Sequence, residues 1–342
     1  MNLLRLTSGV VLLSATSVFA QTTTTTDPVG FITLNAAGNG GGGSPALSFR
    51  SLGMTRAVEY QGSAETVGAN SLTDNEATWT DNQFNGANGS FFVEITSGPR
   101  SGTTYDIQTT TAATKSLTLV QNLAVGVAAP VSFKVRKHWT IATVFGPNNE
   151  GGLSGGDTAS ADKILLQNGA IYDSYYYQTV GAGGTGWRKE GDPATDAGAT
   201  VFIPEEGLIL KRSQASSTNV VLMGAVKMGQ TSIPILTGNN LIGNVYAANM
   251  TLGDSGLYTG NAQTGVAGGD VTEADQVLIW SGTRYETYYY QTAGLGGTGW
   301  RKGGDAGSDA SGTVIPLGSS VILRRKNGTG FDWVVPQHPS GL

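Results

Sequence analysis

The chain has 342 residues, with 20 Lys and Arg against 25 Asp and Glu, two His and no Cys. The missing cysteine excludes a disulfide framework, a thiolate zinc site, an iron–sulfur cluster and a cysteine nucleophile. A net charge of -5 without basic runs excludes a phosphate-binding, nucleic-acid footprint, while 51 glycines and only 13% charged residues describe a turn-rich, weakly charged chain.

The first segment, MNLLRLTSGVVLLSATSVFA, carries one positive charge at Arg5, an apolar stretch and a Val18-Phe19-Ala20 cleavage pattern. It reads as a signal peptide over residues 1–20. No later apolar run is long enough to span a membrane as a helix, so the expected mature protein is exported, to the medium or to a bacterial cell surface. A first strand is expected in Pro28–Leu34, followed by a flexible loop at Gly38–Gly43. The runs FFVEIT (91–96), YDIQT (105–109) and SLTLV (116–120), joined by turn residues, predict a meander.

An internal repeat dominates the second half. ADKILLQNGAIYDSYYYQTVGAGGTGWRKEGD begins at 161 and recurs as ADQVLIWSGTRYETYYYQTAGLGGTGWRKGGD from 274, with 20 of 32 positions identical. Upstream, IATVF (141–145) aligns with IGNVY (242–246), which predicts 12 extra residues in the second copy (an offset of 113 against 101), placed between Asn244 and Val271. The expected organisation is a signal peptide at 1–20, an N-terminal β-rich region at 21–135, β-unit 1 at 136–235 and its duplicate, β-unit 2, at 236–342. Helical periodicity is almost absent, whereas short β-type runs bounded by Gly, Asn, Asp and Ser recur throughout. The expected fold is all-β: tandem sandwich- or barrel-like units with almost no helix outside the signal peptide.

Thr-Asp-Pro-Val-Gly-Phe (26–31), the FVEITSGPRSGTTYDI hairpin and the Tyr-Tyr-Tyr-Gln-Thr…Gly-Trp-Arg unit together resemble a paralogous family of secreted, β-rich proteins from Verrucomicrobia. That family has no established activity, so the resemblance implies export and β-structure and transfers no catalytic residue. Its Pro-Gly-x-Gly-Phe type turn before the last strand is replaced here by Ile203-Pro204-Glu205-Glu206-Gly207 and Ile315-Pro316-Leu317-Gly318, so no site is expected at that turn.

GAGGTG (181–186) and GLGGTG (294–299) match a dinucleotide fingerprint literally. That site requires a helix directly after the loop, and here Trp-Arg-Lys and more glycine follow, so no cofactor is expected. Strand alternation places Tyr175 and Tyr177 on the face of Asp173, and Tyr288 and Tyr290 on that of Glu286. An unpaired carboxylate is costly to bury, so that face is expected to be the wetter one. Tyr175, Tyr177, Trp187 and Arg188, with Tyr288, Tyr290, Trp300 and Arg301, are then candidate ligand-binding residues. The plainer alternative is cross-strand aromatic packing.

For catalysis the repeat offers the pairs Asp162/Asp275, Asp192/Asp305 and Asp196/Asp309, all in turn contexts that suit a backbone-bonding role. His138 and His338 lack metal-type spacing, and Thr73–Glu76 with Asp81–Gln83 offers oxygen ligands without an EF-hand pattern, so no metal site is expected. The sequence reading is a secreted, non-catalytic structural or cell-envelope protein that associates with itself or with cell-surface components. The alternative is a polysaccharide-binding or adhesive module using the duplicated aromatic face, and a secreted hydrolase comes third.

Overall fold

The computed structural model describes residues 27–326 and 328–336, so the expected signal peptide and His338 lie outside the described residues. Within them the chain forms 25 β-strands, one five-residue α-helix (Ile141–Phe145) and one short 3-10 turn (Gly86–Asn88). Every strand pairing is antiparallel.

The predicted meander is present as Phe91–Ile95, Thr104–Thr111 and Ser116–Leu119, hydrogen-bonded in that order. It belongs to a seven-stranded sheet whose two end strands are Val58–Ala64 and Thr66–Val67. Only Glu65 separates these two strands in the chain, so the sheet must curl until its ends meet, as a barrel does. Its interior holds Leu72, Trp79, Phe84, Val93, Ile95, Leu117, Phe133 and Val135.

The remainder is two five-stranded sheets of like order. One runs Gly186–Lys189, Ile171–Gln178, Lys163–Asn168, Leu208–Arg212, Ala46–Arg50; the other runs Gly299–Lys302, Tyr285–Gln291, Gln276–Trp280, Ser320–Arg325, Gly238–Gly243. Each is accompanied by a two-stranded ribbon: Val29–Ala36 with Thr218–Ala225 in the first, Thr231–Ile235 with Phe331–Val335 in the second. Registers repeat as well: Tyr177 faces Trp187 as Tyr290 faces Trp300, and Leu210 faces Ile164 as Leu323 faces Val277.

This pairing divides the chain differently from the expected boundaries. Residues 29–50 complete the first five-stranded sheet and its ribbon, so the curled sheet at 58–137 is an insertion within the first unit. Residues 231–235, assigned above to unit 1, pair with Phe331–Val335 of unit 2. The reason is that the most strongly repeated stretch marks only part of each unit. The opening strands of the two units differ in sequence but occupy like places in their sheets.

The alignment of IATVF with IGNVY is corrected too. Trp139–Thr140 pairs with Val201–Phe202, and Met250–Thr251 pairs with Val314–Ile315, so Ile141 corresponds to Leu252. The offset there is 111 (250 against 139), and only two extra residues, not 12, separate it from the offset of 113. Thr140 caps Thr143 in the first unit, and Thr251 caps Asp254 at the same place in the second.

The two five-stranded sheets meet back to back through Phe49, Ile209 and Leu165 against Leu241, Ile322, Leu278 and Trp280. Leu208-Ile209-Leu210 and Val321-Ile322-Leu323 are continuous apolar runs because both faces of those strands are buried. The contact is reciprocal: Gly243 N–H donates to Glu205 O, and Ser51 N–H donates to Gly318 O. Likewise Glu206 bridges Ile242 while Ser319 bridges Arg50.

Candidate functional site

The candidate aromatic face is interior. Tyr175, Tyr177 and Trp187 are 7%, 8% and 1% exposed and belong to the first core cluster; Tyr288 and Trp300 are 6% and 4% exposed in the second, with Tyr290 partly buried beside them. Tyr177 meets Trp187 edge-on at 5.2 Å between ring centres, and Tyr290 meets Trp300 at 5.6 Å. The expectation of a wet face fails for a specific reason. Asp173 and Glu286 lie at the rim of the core and are neutralised there, by Lys189 at 2.8 Å and Lys302 at 2.8 Å. The lysine hydrogen bond is the largest influence holding each carboxyl below its ordinary range. A paired carboxylate at a rim places no demand for water on the face behind it.

Arg188 and Arg301 are also buried, at 5% and 3% exposure. They lie on the opposite face, where the glycine loops fold over them. Arg188 donates to Gly183 O and to Gly184 O (3.3 Å), while Gln178 Nε2 donates to Ala182 O and to Gly184 O (2.9 Å). In the second unit Arg301 donates to Gly296 O and to Gly297 O (3.1 Å), and Gln291 Nε2 to Leu295 O (2.6 Å) and Gly297 O (2.9 Å). Tyr176 and Tyr289 hydroxyls donate to those same glutamines. The repeated Tyr-Tyr-Tyr-Gln…Gly-Trp-Arg string is thus a clamp for its own loop. The loop turns carbonyls toward Arg and Gln, and no helix follows it to gather amides around a pyrophosphate.

The repeated aspartates are struts. Asp162 pairs with buried Arg212 and accepts from Ser154 N–H at 2.7 Å; Asp275 pairs with Arg325 at 2.5 Å and accepts from Ala267 N–H at 2.7 Å. Asp196 and Asp309 flank Arg188 and Arg301 at 3.4 and 3.5 Å. Asp192 and Asp305 bridge Lys189 and Lys302 through the backbone. His138 is buried, with Nε2 2.8 Å from an Asp106 carboxylate oxygen. Asp74, in the stretch with oxygen ligands, accepts from the Tyr60 hydroxyl at 2.6 Å. Among the described residues no group of three or more His, Asp or Glu is placed to hold a metal ion.

Two features outside the predicted set stand out. The first is a cavity of about 630 Å³ where the inserted sheet meets both units. Its walls include Tyr105, Ile203, Ile233 and Leu241, and its charged lining is Asp106, Glu205, Glu206 and Asp332, with no basic residue. Glu205 is 4% exposed and receives one side-chain hydrogen bond, from the Thr104 hydroxyl at 3.0 Å; burial pushes its carboxyl up. Glu206 has no ion-pair partner among the described residues, and desolvation, followed by the charges of Glu205 and Asp106, pushes it up to about 7. Burial opposes the charge on Asp106, but the His138 hydrogen bond holds that carboxyl low. Behind Glu205 lies a charge network in which Glu94 meets Lys227 at 2.5 Å and Arg136 at 3.4 Å, and Asp27 meets Lys134 at 2.8 Å.

From sequence alone no site is expected at the Glu205-Glu206 turn. The available signal was an asymmetry of the repeat: the corresponding turn in the second unit carries Gly318 and Ser319.

The second feature is the outer face of the first ribbon. Ile32, Leu34, Val220 and Leu222 point inward, which leaves Val29, Phe31, Val221 and Met223 outward at 75%, 71%, 61% and 68% exposure. Phe31 and Met223 are direct cross-strand neighbours. Among the described residues no helix is long and apolar enough to cross a membrane. Comparison of the chain with protein-family models, with curated proteins and with solved structures gave no match, which leaves the resemblance to the secreted Verrucomicrobia family resting on its motifs alone.

Proposed function

We propose that this is an exported, non-catalytic structural or cell-envelope protein that works through its surface and associates with further copies of itself. The observation that supports this reading is the bare outer face of the first ribbon. Four large apolar side chains share it with Thr33, Asn35 and Asn219, and no charged residue interrupts them. Contiguous apolar surface of this kind marks contact sites, and an uncharged one suits an apolar copy of itself better than a charged partner. Strand Val29–Ala36 pairs with one strand only, so its other edge has no strand partner, with Arg50 Nε donating to Asn35 O near one end. In the second unit the matching ribbon is engaged by the inserted sheet, with Ser232 N–H bonded to Gly102 O and Arg100 paired with Asp332 at 2.7 Å.

The test is sedimentation velocity of the chain from Gln21 over a concentration series, beside a Phe31→Thr, Met223→Thr variant. The expected result is concentration-dependent association that the variant loses without a drop in melting temperature. A parent chain that stays monomeric throughout would refute the reading. The polysaccharide alternative has less support, because Tyr175, Tyr177, Trp187, Tyr288 and Trp300 are core and only Tyr290 among the candidate rings is partly buried.

A further inference from the structure

We propose that the cavity between the inserted sheet and the two units is a binding site for a small amphipathic organic cation, an ammonium group on an apolar body, with Glu206 as its counter-charge. The space, about 630 Å³, is that of a small-molecule pocket, and its walls are mainly apolar. Its charged lining is wholly acidic, and three of the four carboxylates already have a hydrogen-bonding nitrogen partner or a cation nearby. Asp106 faces His138, Asp332 pairs with Arg100, and Glu205 lies in the field of Lys227. Glu206 has none among the described residues, and this exposed residue lines the cavity with two other acids, Glu205 and Asp106, close by.

The fold does not need these acids. The second unit makes the corresponding turn and the corresponding bridge with Gly318 and Ser319. Glu205, 4% exposed with a single side-chain donor, is a costly residue to retain in a turn that works without it. The third wall, Thr103–Asp106, comes from the inserted sheet, which has no counterpart in the second unit, so the cavity is not a by-product of the repeat. An ammonium group beside Glu206 would relieve the repulsion among the carboxylates, and the apolar walls would take its hydrocarbon part.

Calorimetric titration of the whole mature chain at about pH 8, where Glu206 is ionised, tests this with three matched probes: phenethylamine, 2-phenylethanol and phenylacetate. The amine should bind saturably, about tenfold or more tighter than the alcohol, and phenylacetate should not bind. Glu206→Gln should bring the amine to the level of the alcohol. Leu236→Trp, at an exposed lining position, should weaken both by filling the space. Equal binding of amine and alcohol, no saturable binding of the amine, or amine binding unchanged in both variants would each overturn the proposal. Calcium chloride binding at the same site and displacing the amine would also overturn it, in favour of a metal site.

Discussion

Replacing Tyr177 and Tyr290 by Ala separates a buried aromatic core from a binding platform. Tyr177 is 8% exposed and packs edge-on against Trp187, which is itself 1% exposed. Truncating a large aromatic in such a place removes its transfer free energy and leaves a cavity, together about 3–5 kcal/mol. Tyr290 is only partly buried, but it stacks on Tyr258 at 3.4 Å between ring centres and meets Trp300 edge-on, so about 2–3 kcal/mol is expected there. For a unit of this size each kcal/mol lowers the melting temperature by about 2–4 °C. Tyr177→Ala should therefore melt about 6–20 °C lower, and Tyr290→Ala about 4–12 °C lower. Tyr177→Phe, which keeps the ring, should cost about 1 kcal/mol or less. Differential scanning calorimetry of the three variants is the assay, with urea unfolding to check that the slope is unchanged. An Ala variant that melts with the parent would refute the core assignment.

The buried ion pairs give a second prediction: Asp275→Asn or Asp162→Asn should cost about 3–5 kcal/mol, because Arg325 or Arg212 is left charged and buried, and a loss below about 1 kcal/mol in urea melts would show that the pair is not a strut. In the glycine loops, Gly183 has φ +80° and an added Cβ would lie 2.7 Å from Pro193 O, with Gly296 at φ +81° and 2.6 Å from Ala306 O. Ala at either position should destabilise by about 2–3 kcal/mol, while Ala at Gly184, where φ is +73° and nothing lies within 4 Å, should cost only about 1 kcal/mol. Equal losses at Gly183 and Gly184 would show that the close approach does not matter. Glu206 supplies a pH dependence: its folded carboxyl holds a proton up to about 7, while in the unfolded chain it ionises near 4.5. The native state then binds more protons between those values, so its stability falls as pH rises through that window. Glu206→Gln should match the parent at about pH 4 and melt about 2–4 °C higher at about pH 8, the exposed part of the group realising only a fraction of the shift; equal melting at both would refute it.

Much of the architecture is written locally in the chain. Alternating or continuous apolar runs cut by Gly, Asn and Asp are enough to specify short strands, because pleating and turn chemistry act over a few residues. The meander at 91–119, the lack of helix and the absence of a helix after the glycine loops follow from that. Boundaries did not, since Val29–Ala36 and Ala46–Arg50 join the first unit through partners about 160–200 residues away in sequence. Nor did the role of the tyrosines. Alternation assigns Tyr175 and Tyr177 to one face but leaves open whether that face is wet, and a lysine at the rim reverses the inference drawn from Asp173. The Glu205-Glu206 turn is the clearest case. Two adjacent glutamates in a turn read as ordinary surface, and only the arrival of the inserted sheet and the second unit buries Glu205 and makes the still exposed Glu206 part of a cavity wall, where partial desolvation and neighbouring carboxylates make its charge costly.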